Sequence, residues 1–158
     1  MKLLLVSDTH GRDERLEEAL KLEKPDFLCH MGDVEGSEDH IRMITRCPVA
    51  MVSGNNDFWT DLNPEVTFEL HGFRIFMTHG HRYGAHGGNE QLKSAGRRNK
   101  ADIVLFGHTH RPTLEIDKDI IVANPGSLTY PRQEKRRPSY MVLYLEKGKL
   151  PKFETKFL

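Results

Sequence analysis

The sequence predicts an α/β fold built on mixed β-sheet, and three observations carry that expectation. Leu3–Val6 is a continuous apolar run, the pattern of a strand buried on both faces. Two more short strands, Phe27–His30 and Pro48–Val52, alternate with segments of helical period. This βαβαβ opening implies parallel strands joined by right-handed crossovers. Beyond about residue 65 the pattern changes to hairpins and period-2 strands, which adds antiparallel pairs. The 158 residues suit one domain, 1–158, able to bury roughly 70% of its unfolded surface.

Each element has a local reason. Arg12–Lys24 carries Leu16, Ala19 and Leu20 at helical spacing among charges, and Pro25 is the stop signal. Ser37 is a candidate N-cap, with Glu38 and Asp39 in the first turn of a short helix that buries Ile41 and Ile44. Val66–Leu70 and Phe73–Thr78 flank His71-Gly72, a tight hairpin signal. A loose loop, Gly84–Gly88, leads into a helix over Asn89–Asn99 that packs through Leu92 and Ala95. Asp102–Phe106 is another buried strand, and strands at Thr113–Ile116 and Ile120–Ala123 follow. Ser139–Leu145 is apolar on both faces. A last strand alternates Lys152, Glu154 and Lys156 with Phe153 and Phe157, which suits one solvated face.

Composition excludes more than it selects. Lys+Arg and Asp+Glu both total 23, so net charge points to neither nucleic acid nor a membrane surface. No apolar run approaches the ~20 residues of a membrane span. The apolar start is too short for a signal peptide, and Asp8 interrupts it. Cys29 and Cys47 lie in apolar surroundings and read as reduced core thiols, which favours the cytoplasm. The basic Arg132–Arg137 stretch reads as a solvated loop. The unusual count is nine histidines, several beside Gly and Asp in short loops.

Those histidines belong to a pattern. Five segments finish in small polar clusters: Asp8/His10, Asp33, Asn55, His79 and His108/His110. If the first strand stays extended past Val6, Asp8 and His10 leave the same face. They would then sit where open α/β sheets place their ligands, at the carboxyl ends of strands. Two carboxylates, one amide and four imidazoles, with no thiolate, make a donor set for Mn²⁺, Fe²⁺, Co²⁺, Ni²⁺ or Zn²⁺ and argue against a structural cysteine–zinc site. Seven donors exceed one tetrahedral ion and suit two if a carboxylate bridges.

The ordered motifs Asp8-Thr9-His10, Gly32-Asp33, Gly54-Asn55-Asn56-Asp57, His79 and Gly107-His108-Thr109-His110 resemble those of the calcineurin-like metallophosphoesterases. The short length and Asn124-Pro125-Gly126-Ser127 resemble its small single-domain phosphodiesterase branch. The resemblance runs from Leu3 to about Arg132. It implies two mixed β-sheets packed as a sandwich and flanked by helices. It also implies a first metal on Asp8, His10, Asp33 and His110, and a second on Asn55, His79 and His108, with Asp33 bridging. Mn²⁺ is the first choice of ion.

The implied activity is hydrolysis of a small phosphodiester, with some monoesters admissible, by a hydroxide shared between two ions. Asn56 and Asp57 are the catalytic candidates. Asn55, His81, Asn124 and Arg132 are the candidate substrate contacts, with loop support as the alternative for Asn124 and Arg132. Larger family members have His at the position of Asn56, and an amide cannot act as the acid for a leaving group. Diesters with good leaving groups are therefore expected. The fold also resembles a retromer subunit that binds partners, so a weakly catalytic metal-binding scaffold is the alternative. A nuclease is disfavoured by neutral charge and the lack of a basic, aromatic-rich stripe. A homo-oligomer is compatible with the sequence.

Overall fold

The computed structural model describes residues 1–158. It holds ten strands and three helices: β1 (Lys2–Val6), α1 (Glu14–Glu23), β2 (Phe27–His30), α2 (Glu38–Ile44), β3 (Val49–Met51), β4 (Glu65–Leu70), β5 (Phe73–Thr78), α3 (Glu90–Arg98), β6 (Ile103–Leu105), β7 (Pro112–Ile116), β8 (Ile121–Pro125), β9 (Ser139–Tyr144) and β10 (Lys152–Phe157). One five-stranded sheet has the order β10-β9-β1-β2-β3, the other β4-β5-β6-β8-β7. In the first, β1, β2 and β3 are parallel, as the βαβαβ reading requires, and β9 and β10 add antiparallel partners. In the second, β5, β6 and β8 are parallel between antiparallel edge strands β4 and β7. Both sheets are mixed; α1 and α2 cover the outer face of the first, and α3 covers that of the second.

The period of two along each strand builds three layers of core. Leu3, Leu5, Cys29 and Met31 of the first sheet meet Ile75, Met77, Ile103 and Leu105 of the second in the central layer. Their neighbours Leu4, Val6 and Leu28 point outward and pack on Leu16 and Ala19 of α1 and Ile41 of α2. Phe76, Val104 and Val122 do the same against Leu92 and Ala95 of α3. Strands apolar on both faces are thus explained by burial between a sheet and a helix layer.

Element ends differ from the sequence expectation in instructive ways. Helix α1 ends through Lys24 in the left-handed conformation (φ 45°), its N–H reaching the Leu20 carbonyl, one residue before Pro25 acts. Ser37 occupies the N-cap position of α2, but its hydroxyl serves Val34 O and Asp13 instead of a helix N–H. The Gly84–Gly88 loop contains one short 3₁₀ turn, Ala85–Gly87, and follows directly on another, His81–Tyr83. Strand β8 runs through Asn124 and Pro125, beyond the expected end at Ala123. His71 and Gly72 both take positive φ (50° and 86°), the twist a two-residue hairpin needs.

Candidate metal centre

The carboxyl ends of β1, β2 and β3 in one sheet and of β5 and β6 in the other converge on one site. Each strand stops and the chain turns sharply. Asp8 (φ 57°), His10 (50°), Asp33 (55°), His108 (68°) and His110 (57°) all hold left-handed backbone, rare for residues with a side chain. This corrects the expectation that Asp8 and His10 share a face of an extended segment: β1 ends at Val6, and two left-handed residues aim the donors inward. Left-handed backbone costs roughly 1–2 kcal/mol per residue, and such strain concentrates at functional sites. Two glycines make room. A Cβ on Gly54 would overlap the Asp33 carboxylate, and one on Gly107 would overlap the Ser7 hydroxyl.

Four donors from Asp8, His10, Asp33 and His110 lie within 4.8 Å of one another. Around the other side of Asp33, His79 Nε2 is 3.5 Å from Asp33 Oδ2 and 3.0 Å from Asn55 Oδ1. The rings of His79 and His108 are 5.1 Å apart. Asp33 Oδ2 also lies 3.8 Å from His10 Nε2, so one carboxylate oxygen faces both donor groups.

Hydrogen bonding behind the rings sets which nitrogen faces the centre. His10 Nδ1 meets Glu35 Oε1 at 2.6 Å, His79 Nδ1 meets Met31 O at 2.6 Å, and His110 Nδ1 meets Tyr130 O at 2.7 Å. Each acceptor requires the N–H on Nδ1, so a ring in its neutral form turns a bare Nε2 lone pair inward. His79 Nε2 then faces the Asn55 carbonyl oxygen, and His110 Nε2 faces Asp8 Oδ1 at 3.1 Å. Asp8 Oδ1 is buried without a hydrogen-bond partner. Acceptors aimed at acceptors in a buried site need a shared proton or a cation between them. The donor chemistry fits divalent metal.

The protonation preferences differ from donor to donor: burial would lower His110, but the Asp8 carboxylate and the Tyr130 carbonyl outweigh it and push His110 up, so a proton shared with Asp8 competes with a cation at that position. Burial alone would raise the Asp8 carboxyl, but its pairing with His110 and the proximity of His79 outweigh it and hold Asp8 at about 2. Burial, with His79 and His86 nearby, lowers His108 to about 4 and keeps it neutral. His30, missed by the sequence reading, is fully buried and neutral, lowered to about 4 chiefly by burial. Its Nδ1 accepts the Gly32 N–H, so Nε2–H donates to Thr9 Oγ1 at 3.1 Å and ties the two ligand loops together.

Three of the candidates are held in place by well-defined partners. The Asp57 carboxylate accepts the backbone N–H groups of Asp33, Glu35 and Gly54 at 2.7–2.8 Å and so clamps these loops together. Asn56 donates its backbone N–H to Asp33 Oδ1 (2.9 Å) and its amide Nδ2 to Asp33 Oδ2 (2.7 Å), so it positions the shared carboxylate. Asn124 is fully buried and braces the turn after β6 through Gly107 O and Thr109 Oγ1, the loop support that the sequence left open for it. His81 stays beside the centre, its ring 5.4 Å from His79 and 6.0 Å from His108. Arg132 is exposed, its backbone N–H bonded to His110 O. Glu35, Tyr130 and His86, whose ring lies 4.6 Å from that of His108, escape the sequence reading, because nothing local in the sequence marks them.

Comparison with known proteins agrees with this geometry. Residues 1–148 match the model of the calcineurin-like phosphoesterase superfamily domain. The probable metallophosphoesterase YsnB of Bacillus subtilis is 33% identical over 148 residues, covering 92% of this chain and 85% of YsnB. The phosphodiesterase YfcE of Escherichia coli is 30% identical over 158 residues, covering 84% and 82%. Among solved structures, a Vps29 double mutant from Entamoeba histolytica superposes with a TM-score of 0.81 at 24% identity, covering 100% of this chain and 99% of that one, a likeness of fold. With the ordered ligand motifs converging on one buried centre, the chain belongs to the calcineurin-like phosphoesterase superfamily.

Proposed function

We propose that this chain is a dinuclear metal-dependent phosphodiesterase. The observation that carries the reading is the convergence of inward-facing donors on Asp33, four of them within 4.8 Å of one another. Asp8, His10, Asp33 and His110 would hold one ion, and Asn55, His79 and His108 the other, with Asp33 shared. Mn²⁺ is the first choice, and Ni²⁺, Zn²⁺, Fe²⁺ and Co²⁺ suit the same O/N donors. Bound there, two divalent ions supply an acidified water and charge stabilisation for the attacking and leaving oxygens of an in-line displacement.

The protein's own part is orientation and charge. Glu35, Met31 O and Tyr130 O fix three imidazoles, and Asn56 and Asp57 fix the Asp33 loop. Only Asp8 and Asp33 bring formal negative charge among the seven donors, so two divalent ions leave the centre net positive toward a monoanionic diester. Asn56 commits its amide to Asp33 and offers no acid, which keeps the preference for good leaving groups. The free thiols Cys29 and Cys47 support a reducing compartment such as the cytoplasm. No helix is long and apolar enough to cross a membrane. The fold shared with Vps29 supports the scaffold alternative, but a full set of ligands favours turnover.

The test is metal content by elemental analysis, then hydrolysis of bis(p-nitrophenyl) phosphate with each divalent ion added back after chelation. Restoration by Mn²⁺ is expected. Full hydrolysis in verified metal-free protein would remove the reading.

A further inference from the structure

Beside the metal centre lies a cleft of about 620 Å³ lined by Arg111, Thr129, Tyr130, Pro131, Arg132 and Arg136. It adjoins the ligand His110 directly. Tyr130 O accepts the His110 Nδ1–H, the Arg132 N–H donates to His110 O, and Arg111 follows His110 in the chain. The Tyr130 ring stands 5.1 Å from the ring of His10, with the Arg12 guanidinium 5.4 Å over it. The only hydrogen bond from a cleft guanidinium to the protein joins Arg111 Nε to Arg132 O, at 3.2 Å.

The charge of this cleft is uncompensated. The Lys and Arg side chains that pair with carboxylates lie elsewhere on the molecule. The neighbouring Arg137 turns away and covers the Phe157 ring. Arg111, Arg132 and Arg136 are thus gathered, exposed and without an acidic partner in a chain with as many acids as bases. The Arg132–Arg137 stretch is therefore not simply a solvated loop: part of it lines a concave, cationic wall.

We propose that this cleft binds a second phosphate of the substrate, so that the preferred substrates are phosphodiesters carrying a further phosphate group. The inference rests on the dinuclear phosphodiesterase reading. Two divalent ions less two carboxylates and one hydroxide leave a single positive charge, which the scissile monoanionic phosphate neutralises. A further dianionic phosphate needs its own cations, and guanidinium forks match phosphate oxygens bidentately. The volume falls within the ~300–1,000 Å³ of small-molecule sites, which favours a compact bisphosphorylated ligand over a polymer.

The experiment compares two esters with the same leaving group, p-nitrophenolate, which departs with the P–O electron pair as water adds to phosphorus. They are thymidine 5′-(p-nitrophenyl phosphate) and the same ester bearing a 3′-phosphate. Wild-type protein should favour the phosphorylated ester in kcat/KM by at least roughly tenfold, the scale of one or two charge-assisted hydrogen bonds. The Arg132→Ala/Arg136→Ala double variant should bring that ratio toward one, and Arg136→Lys should keep part of it. Calorimetry gives a readout independent of turnover: thymidine 3′,5′-bisphosphate should bind the wild type more tightly than thymidine 5′-phosphate, and the double variant should lose the difference. A ratio near one in the wild type would refute the second-phosphate site while leaving the phosphodiesterase intact. Hydrolysis of neither ester in metal-loaded protein would refute the underlying activity instead. Arginine-dependent binding of a single-stranded oligonucleotide, with no preference between the two esters, would assign the cleft to a polymer and overturn the proposal. Thermal melting of each variant separates loss of contact from loss of fold, since a fold defect lowers both esters together and leaves their ratio unchanged.

Discussion

Replacing Glu35 with Gln should weaken metal binding at one site of the pair without slowing the loaded enzyme. Glu35 Oε1 takes the N–H of His10 Nδ1 at 2.6 Å, a contact that sets the ring's tautomer and raises the basicity of Nε2. The amide oxygen introduced by Glu35→Gln could still accept that hydrogen bond, but without the negative charge. A charge-assisted hydrogen bond contributes about 1.5–3 kcal/mol and a neutral one about 0.5–1.5, so the difference is about 1 kcal/mol. The Glu35 side chain is 39% exposed, which puts the effect at the low end, about fivefold in affinity. Titration against a chromophoric chelator should show one of two binding events weakened about fivefold and the other unmoved. At saturating metal, kcat should stay within about twofold of wild type. Metal-dependent thermal stabilisation should fall by about 1 kcal/mol at a fixed metal concentration above both dissociation constants. Two unchanged affinities would show that the Glu35–His10 contact does not tune the site. A large loss of kcat at full loading would place Glu35 in the chemistry instead.

The other predictions address the shared carboxylate, the space behind it and the frame. Asp33→Asn should be the most damaging ligand change, lowering metal content at both positions and abolishing metal-dependent stabilisation; two metals per chain with near-normal turnover would show that Asp33 is not shared. Gly54→Ala should push the Asp33 loop outward, costing about 1–3 kcal/mol in urea unfolding along with metal binding, and wild-type metal content would contradict it. Acid should unclamp the frame through Glu23. Burial opposes ionisation there, but Lys2, Lys156 and Tyr140 hold the carboxyl at about 2 against an ordinary 4.5. A depressed carboxyl stabilises the fold fully above pH 4.5 and loses that contribution as pH falls toward 2, here about 2 kcal/mol once solvent around the lysines is allowed for. Glu23→Gln should remove that part of the acid dependence of urea midpoints between about pH 5 and 3, and an unchanged slope would refute the assignment.

Much of this was legible in the sequence because it is locally encoded. Apolar runs of three or four residues mark β1, β2 and β6, and the helical period marks α1 and α3. The abrupt change from apolar to Gly, Asp, His and Asn marks where each strand spills into the site. The donors' supports were not legible, because they are long-range contacts between unremarkable residues. Glu35 meets His10 from 25 positions away and the Tyr130 carbonyl meets His110 from 20, with no period linking them. Asn124 and Asp57 illustrate the converse ambiguity. A polar residue beside such a motif can contact substrate or support a loop, and the supporting contacts become visible only through burial and backbone partners.

The left-handed ligands show why sequence spacing alone misplaces side chains at such a centre. In an extended strand, residues two apart point the same way but stay about 6.5–7 Å apart along the chain. The donor atoms of Asp8, His10, Asp33 and His110 lie within 4.8 Å of one another, closer than that spacing. The chain meets that demand by reversing at each strand end, and the reversals need backbone that costs energy in five non-glycine residues. The surroundings hold those reversals in place: Asp57 ties three backbone amides together, Asn56 holds both oxygens of Asp33, and the turns at Gly54 and Gly107 leave no room for a side chain. Strain at the donors and rigidity around them therefore have one cause. The site brings like-charged and lone-pair-bearing atoms closer than they would settle unaided, and binding divalent metal is what would turn that repulsion into attraction.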